Sequence, residues 1–360
     1  MIGICECAIA HEALERNAVT ENVSTTDDIL PYEPVSSSAV RLFRLAWQLE
    51  NWLRTIVYVE LRASRKDWED AIKKCVSNSN KVWPPLHLSR DKSLHHMKTH
   101  HEGALSYLTF GELWNLISGN DNWPLFEQYF PPRDNVFARI EEIKTIRNRV
   151  AHFRTPQRHD EDRFKLFMQD MQSGIRIFCT RYTTSKRPKN DPVVDILANC
   201  WEEVGYGYEV SLPDGQWLYA PGSHRMDPLM HGTIEFLTST KYKNDSTAGV
   251  IYKLKPNCKG RERLNISNLL SSTKDLHADV IHIIVISASE IAITIPAILG
   301  NQYVARLISA FLSAGLNSSR SPEYTCLADS QDEWPEYVLY PSSLLSFFDS
   351  DIRDPILDIS

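Results

Sequence analysis

The sequence predicts an α-helical bundle followed by an α+β domain, and three observations carry that reading. Residues 36–184 place apolar side chains at helical spacing in long runs free of breakers. Beyond residue 196 the apolar period falls to two and the runs are bounded by turn residues. Between them lies Thr183–Pro192, rich in Lys, Arg, Thr and Pro, with residues 185–195 read as a linker. A chain of 360 residues, 42% hydrophobic, fits two domains with a core each.

The elements follow in order. Residues 1–35 are polar and weakly patterned up to Pro31 and Pro34, and read as a loosely ordered leader. Ser36 to Ser38 offer N-caps for a long helix to about Ala63, with Val40, Phe43, Trp47, Leu49, Trp52, Leu53, Ile56 and Val57 as its core residues. A helical piece at Trp68 to Cys75 gives way to a polar loop with Pro84 and Pro85. Helical signals resume at Phe110 to Ile117, Pro124 to Tyr129, Asn135 to Arg154 and Glu161 to Thr183. In the second half, Pro213-Asp214-Gly215 predicts a hairpin between Tyr206–Leu212 and Trp217–Ala220. Strands are expected at Gly249–Lys255, Val280–Ile286, Ile291–Ile295 and Tyr337–Tyr340, and helices at Asn301–Ala314 and Ser342–Phe348.

Composition narrows the function classes. A formal net charge of -7 argues against nonspecific nucleic-acid binding by the whole surface. Charge is unevenly placed, however: Arg139–Lys189 holds thirteen Lys and Arg against six acids, an electrostatic footprint suited to an acidic polymer. Seven scattered cysteines suggest neither a disulfide framework nor a zinc finger, and a reducing cytoplasm fits them best. The N-terminus lacks the basic head and apolar run of a signal peptide. The longest apolar stretch, Val280 to Leu299, is broken by His282, Glu290 and Pro296 and reads as buried strands, so no membrane partner is expected.

The segment with chemistry in it is Ile146-Arg147-Asn148-Arg149-Val150-Ala151-His152. At about 100° per residue, Val136, Ile140, Ile143, Ile146 and Val150 form one apolar stripe facing the bundle core. Asn148 and His152, four apart, lie on the side opposite that stripe, with Arg147 between stripe and polar edge. Imidazole moves protons near neutral pH, guanidinium grips phosphoryl oxygens through paired hydrogen bonds, and an amide orients either partner. These residue types suit metal-independent RNA cleavage by the ribose 2′-hydroxyl. Arg149, Arg154, Arg158 and Lys144 are the accompanying phosphate contacts, and no cofactor or metal is called for. One helix supplies one such set, so a two-fold dimer would supply the second acid or base. The competing reading is ordinary helix chemistry, in which a His or Arg in the last turn answers the macrodipole.

Arg147-Asn148-Arg149-Val150-Ala151-His152 resembles the Arg, polar residue, short spacer, His motif of the HEPN superfamily, on a late helix of a four-helix unit. The resemblance covers residues 36–184 and implies a catalytic Arg147 and His152, an assisting Asn148, and an RNase site formed by homodimerisation. It further implies a toxin or antiviral-defence effector, with a regulatory protein or antitoxin as a partner. Toxins of the superfamily silenced by a nucleotidyltransferase often carry Tyr two positions after the His, where this chain has Arg154.

Two other readings compete: a catalytically silent HEPN-like interaction module, and a metal- or ligand-binding protein using His95, His96, His100 and His101. Cys5 and Cys7 lack a matching ligand pair, and His224 and His231 flank a Pro and Met loop without a nucleophile. Glu50 and Arg54, one turn apart, read as an internal surface ion pair in preference to a pair that supports the site from behind, and Trp47 and Trp52 as core rather than base-stacking residues.

Overall fold

A computed structural model describes residues 35–78, 83–94, 103–182, 184–185, 193, 195–197, 208–211, 217–219, 230–238, 247–258, 263–319 and 334–339. The leader with Cys5 and Cys7, the His95–His101 cluster, His224, the Pro213–Gly215 turn and the helix expected at Ser342–Phe348 lie outside them.

Helix α1 (Ser37–Ser64) starts where Ser36 accepts a hydrogen bond from the Ala39 N–H at 3.2 Å. Its Leu42, Leu45, Leu49, Trp52, Leu53, Ile56 and Val57 are buried. Val40, Phe43 and Trp47 are instead 56%, 56% and 61% exposed. The core assignment fails for these three because α1 carries two apolar stripes and only one meets the bundle.

The helical half continues through α2 (Trp68–Asn78), α3 (Leu86–Ser93), α4 (Phe110–Ser118), α5 (Trp123–Phe126), α6 (Arg133–Ala151) and α7 (Asp160–Arg181). Helix α3 falls in the stretch read as a polar loop; among its described side chains only Leu88 is buried, so no apolar stripe announced it. Helix α4 opens with a capping box between Thr109 and Glu112. Helices α6 and α7 pack on α1 and on each other.

Deep in this core, Glu60 of α1 and Arg181 of α7 form an ion pair at 3.0 Å, both almost fully buried. Tyr129 and Tyr182 donate to the same Glu60 oxygen at 2.7 and 3.1 Å, and Arg181 donates to the Tyr129 hydroxyl. Burial pushes the Glu60 pKa up, against the pull of Arg181 and the two phenols. Arg181→Met would leave Glu60 without its countercharge, and a loss of about 3 kcal/mol is expected. Urea unfolding checks this, and Glu60→Gln in the same chain should recover part of the loss.

The second half is an eight-stranded mixed sheet in the order β3-β2-β4-β5-β7-β6-β8. Its strands are β1 (Thr184–Ser185), β2 (Tyr208–Ser211), β3 (Trp217–Tyr219), β4 (Met230–Thr238), β5 (Val250–Cys258), β6 (His282–Val285), β7 (Ile291–Pro296) and β8 (Val338–Leu339). Strands β2 and β3 pair antiparallel with Glu209 opposite Tyr219, as the turn residues between them predict. Strand β1 pairs with the end of β4, and Val193 is fully buried, so both ends of the segment read as a linker pack into this half. Helices α8 (Ile266–Ser272) and α9 (Asn301–Ser319) cover one face of the sheet.

The other face meets the helical half. Leu237, Ile251 and Ile281 belong to the same apolar cluster as α1, α6 and α7. The Tyr58 hydroxyl donates to the Ile281 carbonyl at 2.5 Å, Gly249 N–H to the Ala63 carbonyl at 2.9 Å, and Arg62 to the Ala278 carbonyl. Glu336, from beyond α9, accepts from Gly103 N–H and the Ser106 hydroxyl, each at 2.9 Å. Among the described residues no helix is long and apolar enough to cross a membrane.

His277 sits beside this junction, buried, in the 3-10 turn Lys274–Asp279. The Thr273 hydroxyl donates to the Leu269 carbonyl at 2.8 Å, so His277 Nε2 donates to it at 2.9 Å and Nδ1 accepts from Tyr337 at 3.0 Å. Burial, helped by Lys274, lowers the His277 pKa from 6.5 to about 4. The unfolded chain therefore takes up the proton first as pH falls. This contribution is complete above pH 6.5 and is lost on acidification to pH 4, amounting to about 3 kcal/mol at full loss. Denaturant titrations across that window should show the slope, and His277→Gln should flatten it.

Candidate functional site

Helix α6 positions the motif. Val136, Ile140, Ile143, Ile146 and Val150 are buried against the core, as the periodicity requires. The helix ends three residues before the expected Arg154. His152 is its C-cap, with its N–H donating to the Asn148 carbonyl at 3.1 Å, so the one-turn relation of Asn148 and His152 persists. Phe153 then adopts a left-handed conformation, φ 55°. Phe153 N–H donates to the Val150 carbonyl at 3.0 Å and Arg154 N–H to the Arg149 carbonyl at 2.9 Å, closing a Schellman motif.

Arg147 is partly buried, its side chain 24% exposed. Its Nε donates to Glu50 of α1, and Nη1 lies 3.3 Å from Asn148 Oδ1. Glu50, almost fully buried, accepts from Arg54 on its other oxygen at 2.9 Å, and Arg54 also donates to the Leu108 carbonyl at 3.0 Å. Glu50 is thus not half of an internal surface pair: it holds Arg147 and Arg54 together from below. This grip fixes the Nε edge of Arg147 and leaves Nη2 without a partner among the described residues. A carboxylate set beside Leu49, Trp52 and Leu53 of a buried stripe was the available signal, since such a charge needs a partner.

His152 is exposed, and its ring has no hydrogen bond or ion pair with a described residue; the same holds for the exposed Arg154 and Arg158 side chains. The other two expected phosphate contacts are engaged within the fold. Arg149 donates to Asp160, which also accepts from Gln157 N–H at 2.8 Å, and Lys144 lies 3.4 Å from Glu141 while its stem covers Gly111. Next to Asp160, Glu161 accepts from Arg41 at 2.8 and 2.9 Å, which holds its pKa down at about 2. The acids nearest the motif are therefore largely answered by cations, and His152, Arg154 and Arg158 are left to face solvent.

The edge that carries the motif reaches solvent, with the Arg147 side chain 24% exposed and His152 exposed. The cleft of about 280 Å³ at the junction of the two halves is lined by Arg54, Tyr58, Arg62, Trp68, His277 and Tyr337, and by none of the motif residues. An open cationic edge suits a polymer more than a small molecule. Among the described residues no group of three or more His, Cys, Asp or Glu is placed to hold a metal ion. No protein-family model, curated protein or solved structure matches this chain.

Proposed function

We propose that this chain is a metal-independent endoribonuclease that works as a homodimer through its helical half, with the HEPN-type roles assigned to Arg147, Asn148 and His152. The observation that carries this reading is an exposed His152 without a partner among the described residues, on the same helix end as an Arg147 whose Nε is gripped by Glu50 while Nη2 has no partner among them. In the reaction, the ribose 2′-oxygen bonds to the adjacent phosphorus and the bond to the 5′-oxygen breaks. A base takes the 2′-hydroxyl proton, an acid returns one to the 5′-oxygen, and the products are a 2′,3′-cyclic phosphate and a 5′-hydroxyl. His152 carries one of these protons and the His152 of a second copy the other. Arg147 steadies the phosphoryl oxygens as charge gathers on them.

The exposed stripe of Val40, Phe43 and Trp47 supports the dimer. Positions 40, 43, 47, 50 and 54 share one face of α1, so the apolar stripe runs directly into Glu50, the residue that grips Arg147. The resemblance adds a role as toxin or antiviral-defence effector under the control of a regulatory protein or antitoxin. The Arg147–Glu50 pair also favours a second reading, the silent HEPN-like interaction module, in which Arg147 is structural.

The experiment is incubation of cellular RNA with the purified chain in EDTA, beside Arg147→Ala and His152→Ala versions matched for folding. Cyclic phosphate ends lost in both variants support the nuclease. Equal cleavage by all three sinks the site assignment, and an inactive parent that remains dimeric favours the silent module.

A further inference from the structure

Phe153 is the residue that stability alone would not choose. Its φ of 55° is needed whatever occupies the position, because the helix end closes on it. Glycine or asparagine meets that need cheaply, whereas a bulky L residue is strained there. The ring obtains nothing in return from the fold, since Phe153 is 99% exposed. A strained backbone carrying a bare aromatic ring beside a candidate catalytic histidine points to a contact made outside the chain.

The surroundings indicate what makes that contact. His152 and Arg154 flank the ring in sequence, Arg158 follows, and all three side chains are exposed without a partner among the described residues. Asp160 and Glu161 are already engaged by Arg149 and Arg41. Apart from Asp162, which lies 4.0 Å from His159, the charged groups that follow the ring closely in sequence and face solvent are Arg154, Arg158 and Arg163, so the ring is a bare aromatic face in a largely cationic setting. A nucleobase between two phosphates has the complementary pattern, one π face with an anion on either side.

We propose that Phe153 is the stacking platform for one base of single-stranded RNA, with the flanking phosphates met by Arg147 and His152 on one side and by Arg154 and Arg158 on the other. The proposal rests on the nuclease reading and adds its substrate class. A duplex keeps its base faces stacked internally, so this subsite selects unpaired RNA. Every base has a π face, so the subsite is tolerant of sequence.

The test uses the full chain carrying His152→Ala to prevent cleavage, with a fluorescein-labelled single-stranded oligouridylate and a duplex of the same length as probes in anisotropy titrations. Adding Phe153→Gly should weaken binding of the single strand about tenfold, leave the salt dependence of binding unchanged, and raise the thermal midpoint by relieving the left-handed strain. Phe153→Trp should retain binding. A purely structural role would move stability and affinity together and in the same direction. Unchanged affinity in Phe153→Gly overturns the platform while leaving the nuclease reading intact, provided the parent chain cleaves RNA. Loss of the dimer with unchanged affinity overturns it in favour of a protein contact. Failure of both the parent chain and the His152→Ala variant to bind either probe overturns both the platform and the nuclease reading.

Discussion

His152→Ala is expected to slow RNA cleavage by about 10²- to 10⁴-fold, the range for loss of a positioned proton carrier, without a matching loss of stability. The ring is exposed and holds no other described side chain, and the bond that ends α6 comes from the backbone N–H, which alanine retains. Only the attraction of a protonated imidazole to the helix C-terminus is forfeited, worth about 0.3–1 kcal/mol at an exposed site. His152→Gln sharpens the comparison: it keeps hydrogen-bonding capacity but neither takes up nor releases a proton near neutral pH, so it should be as slow as the alanine variant. Rates from single-turnover cleavage, read beside thermal melts, give the result, and a His152→Gln chain with near-parental rates would exclude a proton-transfer role. Arg147 is less simple to test. Its loss also leaves the buried Glu50 with Arg54 alone, at a cost of about 1–3 kcal/mol, so Arg147 variants need a folding control that His152 variants do not.

Gly174→Ala should abolish the native fold of the helical half. Gly174 lies in α7 where the helix presses against the backbone of Tyr129, and a methyl group there would overlap the Tyr129 carbonyl and come within 2.9 Å of its Cα. Neither side can yield. The Tyr129 hydroxyl is fixed on Glu60, and Met171, Ile175 and Phe178 of α7 are fully buried around the contact. A substitution that forces backbone apart inside a close-packed core belongs to the exceptional class, above about 4 kcal/mol. Gly315→Ala in α9 is the control: the nearest atom to its added carbon is the end of the Met230 side chain, at 3.0 Å, with Leu269 at an ordinary 4.0 Å, and methionine can adapt. Circular dichroism and urea unfolding should show a cooperative transition for Gly315→Ala and none for Gly174→Ala.

How far the site was legible differs residue by residue. The placement of Arg147, Asn148 and His152 at the end of α6 follows from the apolar stripe of that helix, because a breaker-free run fixes its own faces. The role of Glu50 does not, since its partner is 97 residues away along the chain. Phe153 fell inside the helix expected over Asn135 to Arg154; that it lies beyond the helix end, left-handed and bare, depends on how α6 and α7 are joined. Strand β4 has no counterpart among the elements expected between Ala220 and Gly249. It carries Gly232, Thr233 and Glu235 among its apolar residues and earns its central place from pairing with β2 and β5.

The sequence by itself therefore determined the helix periods, the change of composition between a helical half and a sheet-bearing half, and the outward edge of α6. Local spacing decides these, since residues three and four apart share a helix face in any context. Only the tertiary structure decided which of the two apolar stripes of α1 became core, which carboxylate gripped Arg147, and that the two halves share one apolar cluster through Leu237, Ile251 and Ile281. The reason is that periodicity names the residues on a face but not the neighbour the face will meet. That neighbour is chosen by burial and charge compensation across long stretches of chain.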